Sequence, residues 1–130
     1  NKSLHVFTKS KTPFFVMLEG AQIDWGGHEN NLEYVVTEVL DFDQAIGEAI
    51  RFADQNKETL ILVTADHETG GLSLIDGDIE RGYVHSSFST SDHTGVAVPV
   101  FAYGPGAELF TGVHQNTELN QLIRRLFSFR

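Results

Sequence analysis

Phe14-Phe15-Val16-Met17-Leu18-Glu19-Gly20 and Thr59-Leu60-Ile61-Leu62-Val63-Thr64-Ala65-Asp66-His67 are the two stretches that decide the fold. Each is an apolar run that stops at a carboxylate, Glu19 in the first and Asp66 in the second. Runs without polar alternation suit strands buried on both faces. Between them, Val35, Val39, Phe42, Ile46, Ala49, Ile50 and Ala53 recur at steps of three and four, the apolar stripe of an amphipathic helix. Glu38, Asp41, Asp43, Gln44, Glu48 and Arg51 take the opposite face, and Asp54-Gln55-Asn56 supplies a stop. Strand, helix and strand in this order predict a βαβ unit with parallel strands and a right-handed crossover. The expected fold class is therefore α/β with a βαβ core. Both strands would end on one edge of the sheet, where open α/β sheets bind ligands.

Outward from that core, residues 1–13 are polar and closed by Pro13, so they read as a loop set apart from residues 14–130. The Gly-rich stretch 21–31 also reads as a loop. Leu72 to Ile75 predicts a short strand, Ser86 to Asp92 a Ser/Thr-rich loop, and Val98 to Tyr103 a third strand stopped by Gly104-Pro105-Gly106. A last helix is expected from Asn116 or Thr117, burying Leu119, Leu122, Ile123, Leu126 and Phe127. Arg124 and Arg125 near its end suit the helix dipole.

Hydrophobic residues are 41% and charged residues 21% of the 130, ordinary globular usage rather than that of a disordered chain. A net charge of −9 argues against a nucleic-acid partner and against docking on an anionic membrane. The absence of cysteine excludes disulfides, thiolate zinc sites and thiol catalysis. No apolar run is long enough to span a membrane, and the first residues do not read as a signal peptide.

An acidic chain can gather carboxylates around a cation, and five side chains at the two strand ends fit that use: Glu19, Asp24, His28, Asp66 and His67. His93, just before Thr94-Gly95, is a sixth. These are oxygen and nitrogen donors suited to zinc and magnesium. If residues 24–28 turn like a helix, Asp24 and His28 share a face. His93 would then complete a two-imidazole, one-carboxylate set with a fourth position open, the pattern of a catalytic zinc. Asp66 and His67, just past a strand, can both reach one ion. Glu19, a hard oxygen donor, suits magnesium. Each of these residues alone has an ordinary explanation as a loop, turn or surface group; their joint order is what favours metal. His5, His85 and His114 are read as solvated or satisfied histidines.

Three motifs occur in order: EGAQIDWGGH at 19–28, TADHETGG at 64–71 and HTGVAVPVFAYGP at 93–105. Together they resemble the C-terminal portion of the alkaline phosphatase family, from about Phe14 to the last helix. The resemblance implies a three-layer α/β sandwich around a large, mostly parallel sheet. It implies that Asp24, His28 and His93 hold one zinc, that Asp66 and His67 help hold a second, and that Glu19 helps hold a magnesium. It further implies hydrolysis of phosphate monoesters through a phosphoserine intermediate, in a protein that is periplasmic or secreted and homodimeric.

The family's nucleophile lies in an Asp-Ser-Ala-like segment ahead of the first strand, and no such segment occurs here; Ser3 and Ser10 lack its context. An Asp shared by the second zinc and the magnesium, and a phosphate-gripping Arg, are likewise not matched. The expectation is a part of a longer enzyme, inactive by itself, with catalytic residues outside this chain. Two alternatives stay open: a related metal-dependent phosphodiesterase or sulfatase-type hydrolase, and a non-catalytic metal-binding module.

Overall fold

The computed structural model describes residues 12–127. Among the described residues two helices come first, α1 (Ala21–His28) and α2 (Leu32–Asn56). Six short strands follow: β1 (Ile61–Val63), β2 (Glu68–Thr69), β3 (Ser73–Asp78), β4 (Tyr83–Ser87), β5 (His93–Thr94) and β6 (Phe101–Tyr103). A 3₁₀ turn (Ala107–Phe110) and helix α3 (Asn116–Leu126) complete the order. No described helix is long and apolar enough to cross a membrane. The chain divides into two compact units, one of Gly20–Ala45 with Thr64–Val100, the other of the remaining segments.

In the first of these units, Asn31 starts α2 by accepting the Tyr34 N–H on its side-chain oxygen at 3.1 Å, a helix N-cap. The two helices approach closely because Gly26 has no side chain: a Cβ there would sit 3.0 Å from Val35. Val35 is buried in that contact. Strands β3 and β4 form an antiparallel hairpin with an irregularity between Leu74 and Asp76. Strands β2 and β5 form a two-residue antiparallel ladder, Glu68 opposite Thr94 and Thr69 opposite His93.

In the other unit, β1 pairs antiparallel with β6, Leu62 opposite Ala102. Gly104 ends β6 at φ 109°, and a Cβ there would strike the Thr59 carbonyl oxygen at 2.3 Å, so only glycine fits. The Tyr103 hydroxyl donates to Asp54 Oδ1 at 2.7 Å, tying β6 to the end of α2. Phe15 and Phe127 meet edge to face at 6.4 Å. Helix α3 begins after Gln115, whose N–H donates to the Glu118 carboxylate at 2.6 Å.

The α/β class holds, but the parallel βαβ pairing does not appear among the described residues: every assigned ladder is antiparallel. Residues 14–18 join no ladder, and Phe15, Met17 and Leu18 are exposed. An apolar run sets the propensity for a strand but does not name its partner, and β1 takes its partner from the returning segment at Phe101. The α2 stripe is buried at Val35 and Ala53, half-buried at Phe42, Ile46, Ala49 and Ile50, and exposed at Val39. None of the five apolar positions expected to be buried by α3 is fully so, and Leu126 is exposed.

Candidate metal centre

The residues at 21–28 form a helix, not the loop their two glycines predict. Gly26 and Gly27 are both buried. A Cβ on Gly27 would lie 2.9 Å from the Thr69 Cβ and Cγ2, so the missing side chain is what lets β2 approach. The helical penalty of about 1 kcal/mol per glycine is the cost of that approach. The helical turn places Asp24 and His28 on one face, with His28 Nε2 at 3.4 Å from Asp24 Oδ2.

The β2–β5 ladder brings the third group in. His93 Nε2 lies 3.2 Å from His28 Nε2 and 3.6 Å from Asp24 Oδ1. Its ring stacks on that of His67 with centroids 3.5 Å apart and planes 20° apart. Asp24, His67 and His93 also offer ligand atoms that all lie within 4.8 Å of one another. Asp66 is strongly exposed, with Oδ2 at 3.4 Å from His67 Nε2. Glu19 is exposed and belongs to the other compact unit.

The donor set fits a small divalent ion. Ligands of a tetrahedral zinc at 2.0–2.1 Å stand roughly 3.3 Å from each other. The two imidazole nitrogens of His28 and His93 are 3.2 Å apart, and each approaches a different oxygen of Asp24, His28 at 3.4 Å from Oδ2 and His93 at 3.6 Å from Oδ1. His28 Nδ1 lies 2.6 Å from the Ser91 carbonyl oxygen. A carbonyl only accepts, so Nδ1 carries the proton, and in the neutral ring Nε2 offers its lone pair to the cluster. All three side chains keep a third or more of their surface open to solvent, which leaves room for a further ligand.

Three supporting groups escape a reading by residue type. Glu68 accepts the N–H groups of Gly71 at 3.1 Å and Leu72 at 3.2 Å, and also the Thr94 hydroxyl, so it fastens the Gly-Gly turn to β5. The Thr69 hydroxyl contacts both Asp24 and His67. Ser91 acts through its backbone, and its loop is held by Gly70, whose N–H donates to Asp92 and whose carbonyl accepts from Ser89 and Thr90. Only strand alternation hints at this arrangement, since residues 67 and 69 fall on the same side. His85 is exposed on β4, and His114 lies beside Thr111 and Glu118. His5, Ser3 and Ser10 lie outside the described residues.

Fold and site together describe an α/β protein with a cluster of carboxylate and imidazole groups that could hold a divalent ion. The chain belongs to the alkaline phosphatase family, whose model matches residues 1–84 and 78–128. Alkaline phosphatase H of Pseudomonas aeruginosa is 33% identical over 100% of this chain and 31% of its own length. Alkaline phosphatase 3 of Bacillus subtilis is 30% identical over 92% of this chain and 41% of its own. The alkaline phosphatase of the Antarctic bacterium TAB5 superposes with a TM-score of 0.90 at 42% identity, over 98% of this chain and 39% of that one. A mutant of that enzyme has magnesium bound in its M3 site. This chain thus spans well under half the length of these relatives.

Proposed function

We propose that this chain is the metal-ligand-bearing part of a zinc- and magnesium-dependent alkaline phosphatase, which hydrolyses phosphate monoesters through a phosphoserine intermediate. The observation that carries the reading is the 3.2 to 3.6 Å spacing among Asp24, His28 and His93. In this reading those three residues hold the first zinc, Asp66 and His67 contribute to a second, and Glu19 contributes to a magnesium. Such ions, when bound, would supply Lewis-acid stabilisation of the charge that develops on phosphate oxygens.

The chain's own groups aim and expose that chemistry. The Ser91 carbonyl holds the His28 ring so that Nε2 faces Asp24 and His93. Asp24 brings a carboxylate to the cluster beside the two imidazoles. The open side of the cluster admits a phosphate ester and water, as a catalytic zinc site requires and a closed structural site does not. The whole enzyme is proposed to be a periplasmic or secreted homodimer with the nucleophilic serine, the bridging carboxylate and the phosphate-binding arginine on other segments. Its fold is proposed to be the larger sandwich with a mostly parallel sheet.

Zinc stoichiometry tests the reading directly. The wild-type chain is expected to bind one zinc tightly, and His28→Ala and His93→Ala each to lose it. Variants that retain zinc with unchanged stoichiometry and affinity would remove the basis of the assignment.

A further inference from the structure

Thr69 touches two different candidate ligand sets with one oxygen. Its Oγ1 lies 2.5 Å from Asp24 Oδ1 and 3.2 Å from His67 Nδ1. An ionised carboxylate is an acceptor only, so the hydroxyl spends its single proton on Asp24. Toward His67 it can then only accept, which requires the proton of that ring to sit on Nδ1. In the neutral ring His67 Nε2 then keeps its lone pair, and it faces Asp66 Oδ2 at 3.4 Å. A cation placed between them would be met by both groups.

We propose that Thr69 is a positioning residue shared by both ligand sets, its hydroxyl fixing the Asp24 carboxylate of one and the tautomer of His67 in the other. The proposal rests on the metal reading above. The fold presets the direction of the hydroxyl. Thr69 sits opposite His93 in the β2–β5 ladder, and its Cβ and Cγ2 lie against Gly27 of α1. A β-branched side chain held by its methyl has little χ1 freedom, so the oxygen points steadily at Asp24. A serine at this place keeps the hydroxyl and gives up the methyl. A valine keeps the shape and gives up the hydroxyl.

Zinc affinity by chelator competition and the visible absorption spectrum of the cobalt(II)-loaded chain are the readouts, neither of which depends on turnover. Thr69→Val is expected to weaken zinc binding by roughly 10- to 100-fold, the usual effect of losing a hydrogen bond to a ligand, and to shift the cobalt bands. Thr69→Ser is expected to recover most of the affinity and the wild-type spectrum. If Thr69→Val binds zinc like the wild type while His28→Ala loses it, the shared role of Thr69 is wrong and the metal reading stands. If Thr69→Ser loses zinc affinity while Thr69→Val keeps it, packing of the methyl rather than the hydroxyl is responsible, and the proposal fails. If His28→Ala also binds like the wild type, both readings fall together.

Discussion

Gly27 shows how a residue without a side chain governs those with chemistry. Its place inside α1 is unfavourable by propensity, and alanine there would gain about 1 kcal/mol in an isolated helix. In this structure the added methyl meets Thr69 carbons at 2.9 Å and the Thr69 carbonyl oxygen at 3.1 Å, none of them the free end of a long side chain. Overpacking should win: Gly27→Ala is expected to destabilise the chain by roughly 1–3 kcal/mol in urea denaturation. Gly47→Ala in α2 is the control, because its Cβ would meet only the Arg51 guanidinium at 3.8 Å, and it should be neutral or mildly stabilising. Equal effects at the two positions would show that Thr69 yields without cost. The cluster of Asp24, His28 and His93 was legible in the sequence because carboxylate and imidazole side chains at strand ends invite a search for metal donors. Thr69, Glu68 and Ser91 were not, since a hydroxyl, a carboxylate on a backbone turn and a main-chain carbonyl acquire their roles only from what stands opposite them in space.

Among the elements, the link between α2 and β6 has a pH dependence of its own. The Tyr103 hydroxyl holds the Asp54 carboxyl below its ordinary range, with Lys57 adding to the effect. Asp54 in turn raises Tyr103, first as a hydrogen-bond acceptor and then by its charge. A carboxyl with a depressed folded pKa stabilises above its unfolded value of about 4, and that contribution is lost as pH falls through the lower folded value. A phenol with a raised folded pKa contributes fully below about 10, and loses that contribution as pH rises through the higher folded value. The stability difference between wild type and Tyr103→Phe is therefore expected to be flat between those limits and to shrink at both ends. Urea midpoints at pH 3, 7 and 11 measure it, and a difference independent of pH would show that the contact contributes nothing through ionisation. The same pair of elements marks where sequence reading of the fold succeeded and stopped. The strand at 61–63, the one at 101–103 and the long helix were all foreseen, because local periodicity and chain breakers mark them. Their pairing was not, because β1 meets β6 across a long loop closure that no local pattern encodes. The helix at 21–28 was missed for the opposite reason, its local propensity being overridden by contacts made at Gly26 and Gly27.

For the whole molecule, the proposed metal binding and the proposed catalysis call on different residues. The donor groups Asp24, His28 and His93 stand within one compact unit. Turnover through a phosphoserine asks for an activated hydroxyl with a neighbouring carboxylate and a guanidinium to hold the phosphate. The 130 residues contain no Asp-Ser-Ala segment to supply it. Side chains such as Met17, Leu18, Ile79 and Phe101 are broadly exposed. The 130-residue polypeptide, saturated with zinc and magnesium, is therefore expected to hydrolyse p-nitrophenyl phosphate no faster than the same metals in buffer, while still binding zinc through His28 and His93. On the proposed reading, a longer chain that carries a nucleophilic serine should turn the ester over, and should lose that activity with His93→Ala. Robust hydrolysis by the 130-residue chain, abolished by the same substitution, would mean that these residues carry a complete catalytic apparatus and that the division of labour drawn here is mistaken.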